Sequence, residues 1–341
     1  MSSSTRPRPH DGTGRAPHTS GLRSADEASS ARPVAHDRYL HEAFFWRGDD
    51  HFLARTVPFV LGGLEAGEPV MAAVVPRHVE LLRDALDGAA GDVQLLDMSR
   101  LGANPARIIP VWREFTDTHA GPGRPVRGIG EPVWSARRGS ELAEGQLHEA
   151  LLNAAVAPAT PLWLMCPYDA DGLPEDVLAE ARRSHPVVVE DVAPTESSYG
   201  GHGHIATLFA ADLSPADPRV PVRDFQRGQL AAVRAEVETR AVSAGLRTDQ
   251  GQDLALAVHE VAVNSVEHGG GSGDIRVWEE PGALVVEVRD AGRIADPLVG
   301  RQLPARDDVG GRGLWLANQL CDLVQIRSRA TGTTVRIHTW L

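Results

Sequence analysis

The stretch that decides the fold of the second half of the chain is Leu254-Ala-Leu-Ala-Val-His-Glu-Val-Ala-Val-Asn-Ser-Val-Glu-His-Gly269. Its apolar residues Leu254, Val258 and Val261 fall on one stripe, as expected for a helix that faces a core. Three polar residues recur at intervals of four, namely Glu260, Asn264 and His268. On a helix they lie on a second face beside the apolar stripe. The pattern predicts a helix that carries a carboxylate, a carboxamide and an imidazole along one groove.

Three further motifs follow this helix in order. Asp290-Ala-Gly292 comes after two strand-like segments, Gly310-Gly-Arg-Gly-Leu314 opens an apolar helical segment, and Gly332-Thr-Thr334 precedes a last strand. The ordered set resembles the GHKL (Bergerat) ATPase fold, and within it the anti-sigma factors and switch-protein serine kinases. The resemblance covers roughly residues 222–341.

The resemblance implies a site for ATP and Mg²⁺. In the resembled family, the residue that matches Glu260 acts as a base toward a serine hydroxyl. The residue that matches Asn264 holds the metal, for which a neutral amide oxygen is a suitable ligand. Asp290 closes a strand, so its carboxylate is placed to accept the exocyclic amine of adenine. Gly292 lets the backbone approach the ring.

The glycine motif at 310–314 predicts the phosphate site. Gly311, Gly313 and Leu314 put free backbone N–H groups at a helix N-terminus, where the helix dipole also favours phosphate. Either Arg312 or Arg306 is expected to stabilise the γ-phosphate, and the sequence does not decide between them.

Other positions keep two interpretations. Thr333 or Thr334 assists adenine recognition through its hydroxyl, or both simply follow turn and strand preferences. His268 orients the metal-binding region or caps the helix end. Residues 293–308 are predicted to form a mobile lid, although Ile294 stands where many family members have the second glycine of Asp-x-Gly-x-Gly.

Composition excludes several function classes. All 34 basic residues are arginine, so a Walker P-loop, which needs a lysine, is excluded. A net charge of −12 argues against direct nucleic-acid binding, which relies on clustered cations. No run of 18 apolar residues and no secretory signal core occurs, which predicts a cytoplasmic protein with no membrane partner.

The first half alternates apolar strands with helices, which predicts βαβ units and a mostly parallel sheet. His41-Glu-Ala-Phe-Phe-Trp46, Gly67-Glu-Pro-Val70 and Cys166-Pro-Tyr-Asp169 resemble landmarks of the MEDS sensory domain. That resemblance implies a RecA-like α/β sensor without a Walker lysine.

A sensing pocket in this half has two interpretations. Cys166, Tyr168 and Asp169 line a crevice at the strand ends, or Cys166 is core and the other two are turn residues. Histidines 41, 51, 148 and 185 show no paired metal-ligand spacing, so the sequence does not predict a metal site here. Cys166 and Cys321 lie in apolar segments and are expected to be buried and reduced.

We therefore predict an α/β N-terminal domain, RecA-like with a mostly parallel sheet, followed by an α+β GHKL/histidine-kinase-like ATPase sandwich. The expected divisions are a disordered tail at 1–36, the MEDS-like domain at 37–200, a linker at 201–221 and the ATPase domain at 222–341. Within these, 205–209 is expected to be a strand, 222–244 a helix, Asp249 the cap of the central helix, and the sheet half-exposed.

Three functions compete. The first is an anti-sigma factor that sequesters a sigma factor and phosphorylates a Ser or Thr of an anti-anti-sigma (STAS) protein. The second is a module that binds ATP and switches partners without phosphoryl transfer. A sensor histidine kinase is disfavoured, because no histidine occurs between His204 and His259 to act as phosphoacceptor. Pairing as a homodimer, common in such ATPases, stays open.

Overall fold

The structure is a computed structural model that describes residues 36–190, 193–195, 198–303 and 312–341, with backbone only at 193–195. Its first half alternates strands and helices, with 3₁₀ turns at Asp87–Asp92 and Pro105–Arg107. The elements are β1 (Leu40–Trp46), α1 (Gly48–Glu65), β2 (Val70–Val74), α2 (Pro76–Leu86), β3 (Val93–Asp97), α3 (Met98–Leu101), α4 (Ile108–His119), β4 (Val126–Gly130), α5 (Gly139–Ala155), β5 (Leu162–Asp169), α6 (Glu175–Ser184), β6 (Val187–Glu190) and β7 (Ala193–Thr195).

These strands form one sheet in the order β3-β2-β4-β5-β1-β6-β7. Pairing is parallel throughout except between β6 and β7. Helices cover both faces, which is why β2 and β4 are buried along their whole length and why uniformly apolar strands suit them. The predicted α/β architecture is confirmed.

The second half is an α+β sandwich. Its elements are α7 (Gly201–Phe209), β8 (Arg223–Gln226), a 3₁₀ turn at Arg227–Gln229, α8 (Leu230–Ser243), α9 (Thr248–His268), β9 (Ser272–Glu280), β10 (Ala283–Asp290), α10 (Arg312–Leu320), β11 (Leu323–Arg329) and β12 (Gly332–Trp340). The strands pair antiparallel in the order β11-β12-β10-β9-β8. The predicted sandwich class is confirmed.

Helix α9 packs on one face of this sheet as its periodicity predicts. Leu254, Val258 and Val261 are 0–2% exposed and join the same apolar cluster as Val286 and Val288 of β10. That cluster also includes residues of the parallel sheet and α5. The two halves therefore share a hydrophobic core.

The opposite face of the antiparallel sheet is buried, contrary to the expectation of a half-exposed sheet. Glu287 is fully buried, and Arg336 and His338 are 3–4% exposed. Arg336 donates to Glu287 and to the carbonyl oxygen of Ser214, which lies in the segment between α7 and β8. The alternating polar residues of these strands therefore lie on a buried face, where they form ion pairs, and not on a face exposed to solvent.

Four local expectations were wrong. Residues 223–226 form strand β8 instead of the start of a helix, because Phe225 pairs alongside β9 and is fully buried there. Residues 201–209 form α7, not a linker and strand, with Ile205 and Phe209 buried one turn apart. Asp249 lies inside the first turn of α9, since that helix begins at Thr248. His36, which was assigned to the disordered tail, is buried, and its Nε2 lies 3.0 Å from the Val126 carbonyl oxygen. The rest of the predicted tail, residues 1–35, lies outside the described residues.

Candidate functional site

The site is built around the polar side of α9. Glu260 and Asn264 lie one turn apart on this helix and are half-buried, while His268 in the last turn is exposed. The capping residue after it is Gly269, whose N–H donates to the Ser265 carbonyl oxygen. His268 therefore does not occupy the cap position.

Glu260 and Asn264 meet the start of α10 at Gly313. A methyl group placed on Gly313 would lie 3.0 Å from Glu260 Oε2 and 3.2 Å from Asn264 Nδ2. Any larger residue would displace both side chains. The glycine thus brings the N-terminus of α10 against a carboxylate and a carboxamide at once.

Asp290, at the end of β10, is fixed by two hydrogen bonds. Its Oδ2 accepts from the Ser265 hydroxyl at 2.7 Å, and its Oδ1 accepts from the Gly292 N–H at 2.8 Å. A carboxylate offers about four lone-pair positions, so Asp290 keeps acceptor capacity for a ligand amine. Ser265 was missed by sequence reasoning, although it directly follows Asn264 and is fully buried.

Thr333 continues the same network, which favours Thr333 over Thr334 at this site. The Thr333 hydroxyl donates to the Gly292 carbonyl oxygen at 2.9 Å and lies 2.9 Å from the Ser328 hydroxyl. Ser328, also missed from the sequence, accepts from the Ile294 N–H at 2.8 Å. These bonds tie the segment after Asp290 to β11 and β12.

A cavity of about 220 Å³ opens between these residues. Its walls combine apolar and polar side chains. They are Val261, Asn264, His268, Gly269, Asp290, Gly292, Arg293, Ile294, Val299, Leu314, Thr333 and Val335. The structure therefore brings Asn264, His268, Asp290, Gly292, Leu314 and Thr333 around one space.

A larger cleft of about 930 Å³ lies beside this cavity and shares Asp290, Gly269 and Thr333 with it. The cleft is lined mainly by polar and charged groups such as Asp224, Asp274 and Arg329. A planar aromatic base is better matched by the smaller cavity, because Val261, Leu314 and Val335 supply apolar contact there.

Part of the predicted phosphate site lies beyond the described residues. Arg306, Gly310 and Gly311 fall in the segment 304–311, which the structure does not describe. Arg312 begins α10 and is exposed, and Leu314 is buried against the cavity. Stabilisation of the γ-phosphate by Arg306 or by Arg312 therefore stays a prediction.

The described portion of the predicted lid is anchored by the first half of the chain. Arg301, 4% exposed, donates to Glu144 of α5 at 2.7 Å. The Gly300 carbonyl oxygen accepts from the Asn318 amide at 3.0 Å, and the amide oxygen of Asn318 accepts from Asn104 at 3.0 Å. These contacts hold residues 300 and 301, whereas residues 304–308 of the predicted lid lie outside the described residues.

A second anchor joins the first half of the chain to α10. Arg107 donates to the carbonyl oxygens of Asn318, Gln319 and Cys321 at 2.7–3.0 Å. These are the free carbonyls at the C-terminus of α10, where a cation is favourable. The two anchors therefore hold the 300–301 segment and α10, which are two of the segments around the cavity.

The described residues fit an adenine nucleotide. Asp290 is a fixed acceptor at the edge of an apolar cavity, and Gly292 leaves no room for a side chain, since an added Cβ would lie 2.7 Å from the His268 carbonyl oxygen. Gly313 keeps the N-terminus of α10 in contact with Glu260 and Asn264. These features suit a base, a close backbone approach and a phosphate with its metal.

Comparison with known families agrees with this geometry. Residues 40–186 match the family model of MEDS, the methanogen/methylotroph DcmR sensory domain, and residues 225–339 match the model of the histidine kinase-like ATPase domain. The chain carries a MEDS domain and a histidine kinase-like ATPase domain. An ATPase domain of this kind implies ATP binding, typically with Mg²⁺.

Two solved structures are similar to part of the chain. One holds the RsbU and RsbW domains of Rv1364c from Mycobacterium tuberculosis, with 21% identity over 36% of this chain and 32% of that chain, at a TM-score of 0.27. The other is the histidine kinase AdeS from Acinetobacter baumannii, with 12% identity over 36% of this chain and 68% of that chain, at a TM-score of 0.22. The first match thus spans about a third of its chain. No curated protein matches the sequence.

Within the part of the chain that the structure describes, no helix is both long enough and apolar enough to cross a bilayer.

Proposed function

We propose that the protein is an anti-sigma regulatory factor of the serine kinase type. It binds ATP with Mg²⁺ and phosphorylates a Ser or Thr of a STAS protein, and by this partner switching it regulates a sigma factor. The observation that carries the proposal is the meeting of Glu260 and Asn264 at Gly313, where the N-terminus of α10 begins. A carboxylate and a metal-ligating amide at a helix N-terminus are the parts that phosphoryl transfer needs.

Each residue has a defined task in this proposal. Asp290 accepts the adenine amine, with Ser265 and Gly292 holding its carboxylate in place. Asn264 would supply an oxygen ligand for Mg²⁺, and the backbone N–H groups at Gly313 and Leu314 would bind the phosphates. Bound MgATP supplies the transferable phosphoryl group and neutralises its charge.

Glu260 acts as the general base. Its carboxylate takes the proton of the incoming Ser or Thr hydroxyl as that oxygen bonds to the γ-phosphorus of ATP, while the bond from that phosphorus to the β-phosphate oxygen breaks and ADP leaves. A protein that only binds ATP has no use for this group. The presence of Glu260 therefore favours the kinase over the non-catalytic partner switch.

The MEDS domain provides the input. Its Glu144 holds Arg301 in the segment beside the cavity, and its Asn104 and Arg107 hold Asn318 in α10. A ligand that shifts α5 or the 104–107 turn would move the segment that contains Arg301 or helix α10, both of which lie beside the cavity. The signal therefore has a direct physical route to the ATP site.

The kinase assay uses the full chain with γ-labelled ATP, Mg²⁺ and each STAS protein encoded in the same genome. We expect label on a STAS Ser or Thr, and a loss of about 10²–10⁴-fold in the transfer rate for Glu260→Gln, because a general base contributes that much. ATP affinity, measured by calorimetry, should be retained in this variant. Glu267→Gln is the matched control, since Glu267 is an exposed carboxylate of the same helix.

Two results count against the kinase. Transfer by Glu260→Gln at the rate of the Glu267→Gln control would remove Glu260 from the mechanism. ATP binding without labelling of any STAS protein would favour the binding module, to be followed by a test of nucleotide-dependent sigma-factor binding. ATP affinity that Asn264→Ala leaves unchanged in the presence of Mg²⁺ would remove the metal role of Asn264.

A further inference from the structure

The core of the MEDS domain contains a cluster of four potential metal ligands that the kinase does not use. His41 lies on β1, Glu149 on α5, Cys166 on β5, and His185 directly after α6. All four side chains are buried to 1% exposure or less, and one ligand atom from each lies within 4.8 Å of the others. The fold therefore gathers these groups from four separate segments.

Four of the six distances between these ligand atoms are close to those in a four-coordinate zinc site, and all six lie within 4.8 Å. His41 Nε2 lies 3.1 Å from Glu149 Oε2, and Cys166 Sγ lies 3.4 Å from each of these atoms. His185 Nε2 lies 3.4 Å from Glu149 Oε2. Zinc bonds of about 2.0–2.3 Å at tetrahedral angles place ligand atoms about 3.3–3.6 Å apart. Little movement would be needed to accept the ion.

Neighbouring groups orient both imidazoles for this purpose. His41 Nδ1 lies 3.1 Å from the amide oxygen of Asn153, whose own amide donates to the Ser184 carbonyl oxygen. His185 Nδ1 lies 2.8 Å from the Ala181 carbonyl oxygen. With an ion bound, the proton of each ring lies on Nδ1, where these oxygen atoms accept it, and the lone pair of each Nε2 is directed at the ion. Metal-bound histidines are held in this way.

Charge balance also favours a divalent ion. A thiolate at Cys166 and the carboxylate of Glu149 together carry two negative charges, and two neutral imidazoles add none. A Zn²⁺ ion makes the buried cluster neutral, whereas without it an anion and several polar atoms are enclosed at a cost in solvation. Glu149 Oε1 has no hydrogen-bond partner among the described residues.

We propose that His41, Glu149, Cys166 and His185 bind one Zn²⁺ ion in the core of the MEDS domain. Binding releases the Cys166 thiol proton to solvent and forms bonds to the sulfur, both Nε2 atoms and a Glu149 oxygen. Four protein ligands and full burial describe a closed site without an open coordination position. The proposal is independent of the kinase activity.

A thiol nucleophile is the other chemistry these groups suggest, because Cys166 contacts His41 and His41 in turn contacts Asn153. Burial excludes a substrate from Cys166, which is 1% exposed. A metal ion held by the four side chains needs no such access for a substrate.

The test uses the full chain, prepared without an affinity tag, with zinc content measured by mass spectrometry. We expect about one zinc per chain in the wild type and in Cys321→Ser, and several-fold less in Cys166→Ser and His41→Gln. Cys321 is the matched control, because it is the second buried free cysteine and lies away from the cluster. Co²⁺-loaded wild type should show a sulfur-to-cobalt charge-transfer band that Cys166→Ser lacks.

X-ray absorption at the zinc edge of the wild type makes the test independent of how the variants fold. One sulfur and three nitrogen or oxygen ligands would support the site. A first shell without sulfur, or equal zinc content in Cys166→Ser and wild type, would show an adventitious ion only and overturn the proposal. Wild-type protein that refolds with zinc present and still contains none would overturn it as well.

Discussion

Helix α5 carries two buried carboxylates with contrasting partners. Glu144 contacts the guanidinium groups of Arg301 and Arg327 at 2.7 and 2.6 Å. Glu149, five residues later, contacts two imidazoles and a thiol. At about 100° per residue the two side chains point about 140° apart around the helix, so one faces the ATPase domain and the other the core of the MEDS domain.

The difference between these partners decides what each carboxylate does. Arginine stays charged, so the Glu144 cluster is a fixed set of charges that holds two domains together. Imidazole and thiol can each be neutral or charged and can bind a metal, so the Glu149 cluster can adapt to its occupant. Burial lowers the pKa of His41 and raises that of Cys166, so both are neutral when no ion is bound.

The largest effect is expected from breaking the fixed cluster. Glu144→Gln leaves Arg301 and Arg327, each 4–5% exposed, buried without a counter-charge. We expect the free energy of unfolding, measured by urea denaturation at neutral pH, to fall by about 3–5 kcal/mol. Glu238→Gln is the control, because Glu238 pairs with Arg234 at 43% exposure on both sides, where such a pair contributes less than about 1 kcal/mol. Similar losses in the two variants would show that the Glu144 cluster does not hold the domains.

This contrast was beyond what the sequence could predict. Glu144 and Arg301 are 157 positions apart, and His41 and Glu149 are 108 apart. Spacing rules detect metal or ion clusters only when the ligands share one helix or loop. The four zinc ligands come from four segments, so the absence of His-x-x-x-His spacing said nothing about them.

Local patterns were more informative. The α9 stripe, the order of Asp290 and the glycine motif, and the apolar parallel strands are all properties of neighbouring residues, and they predicted both fold classes and six of the twelve residues that line the cavity. Strand β8 was missed because its four residues become a strand only by pairing with β9. The buried polar face of the ATPase sheet was missed because polar alternation normally indicates solvent.

The next effect concerns pH and the Glu144 side of the comparison. His338 Nε2 lies 3.1 Å from the Gln325 side chain, which extends toward Glu144. Burial, helped by Arg336 and Arg138 and opposed by Glu280 and Glu144, lowers the pKa of His338 from 6.5 to about 4. Between these values the unfolded chain binds the extra proton. This group therefore makes the fold less stable as pH falls from about 6.5 to about 4, by roughly 3 kcal/mol in total.

The measurement is the free energy of unfolding against pH for the wild type and His338→Gln. We expect the variant to lose up to about 1.4 kcal/mol per pH unit of slope in that window. His202→Gln, a change at an exposed histidine, is the control and should keep the wild-type slope. Parallel curves for wild type and His338→Gln would show that this imidazole does not couple folding to pH.

The smallest effect is expected when the adaptable cluster is changed without metal. Burial alone would raise the pKa of Glu149, but hydrogen bonds from His185 and His41 outweigh it and hold the pKa below its usual range. Glu149→Gln keeps a hydrogen-bond acceptor and leaves no unpaired cation, because His41 stays neutral. We expect a loss of about 1–2 kcal/mol in chelator-treated protein, the difference between hydrogen bonds to charged and neutral acceptors. A loss of unfolding free energy equal to that of Glu144→Gln would mean that the two carboxylates stabilise the fold to the same extent. If the wild type alone gains stability when Zn²⁺ is restored, the two sides of α5 differ because only the Glu149 cluster binds a metal ion.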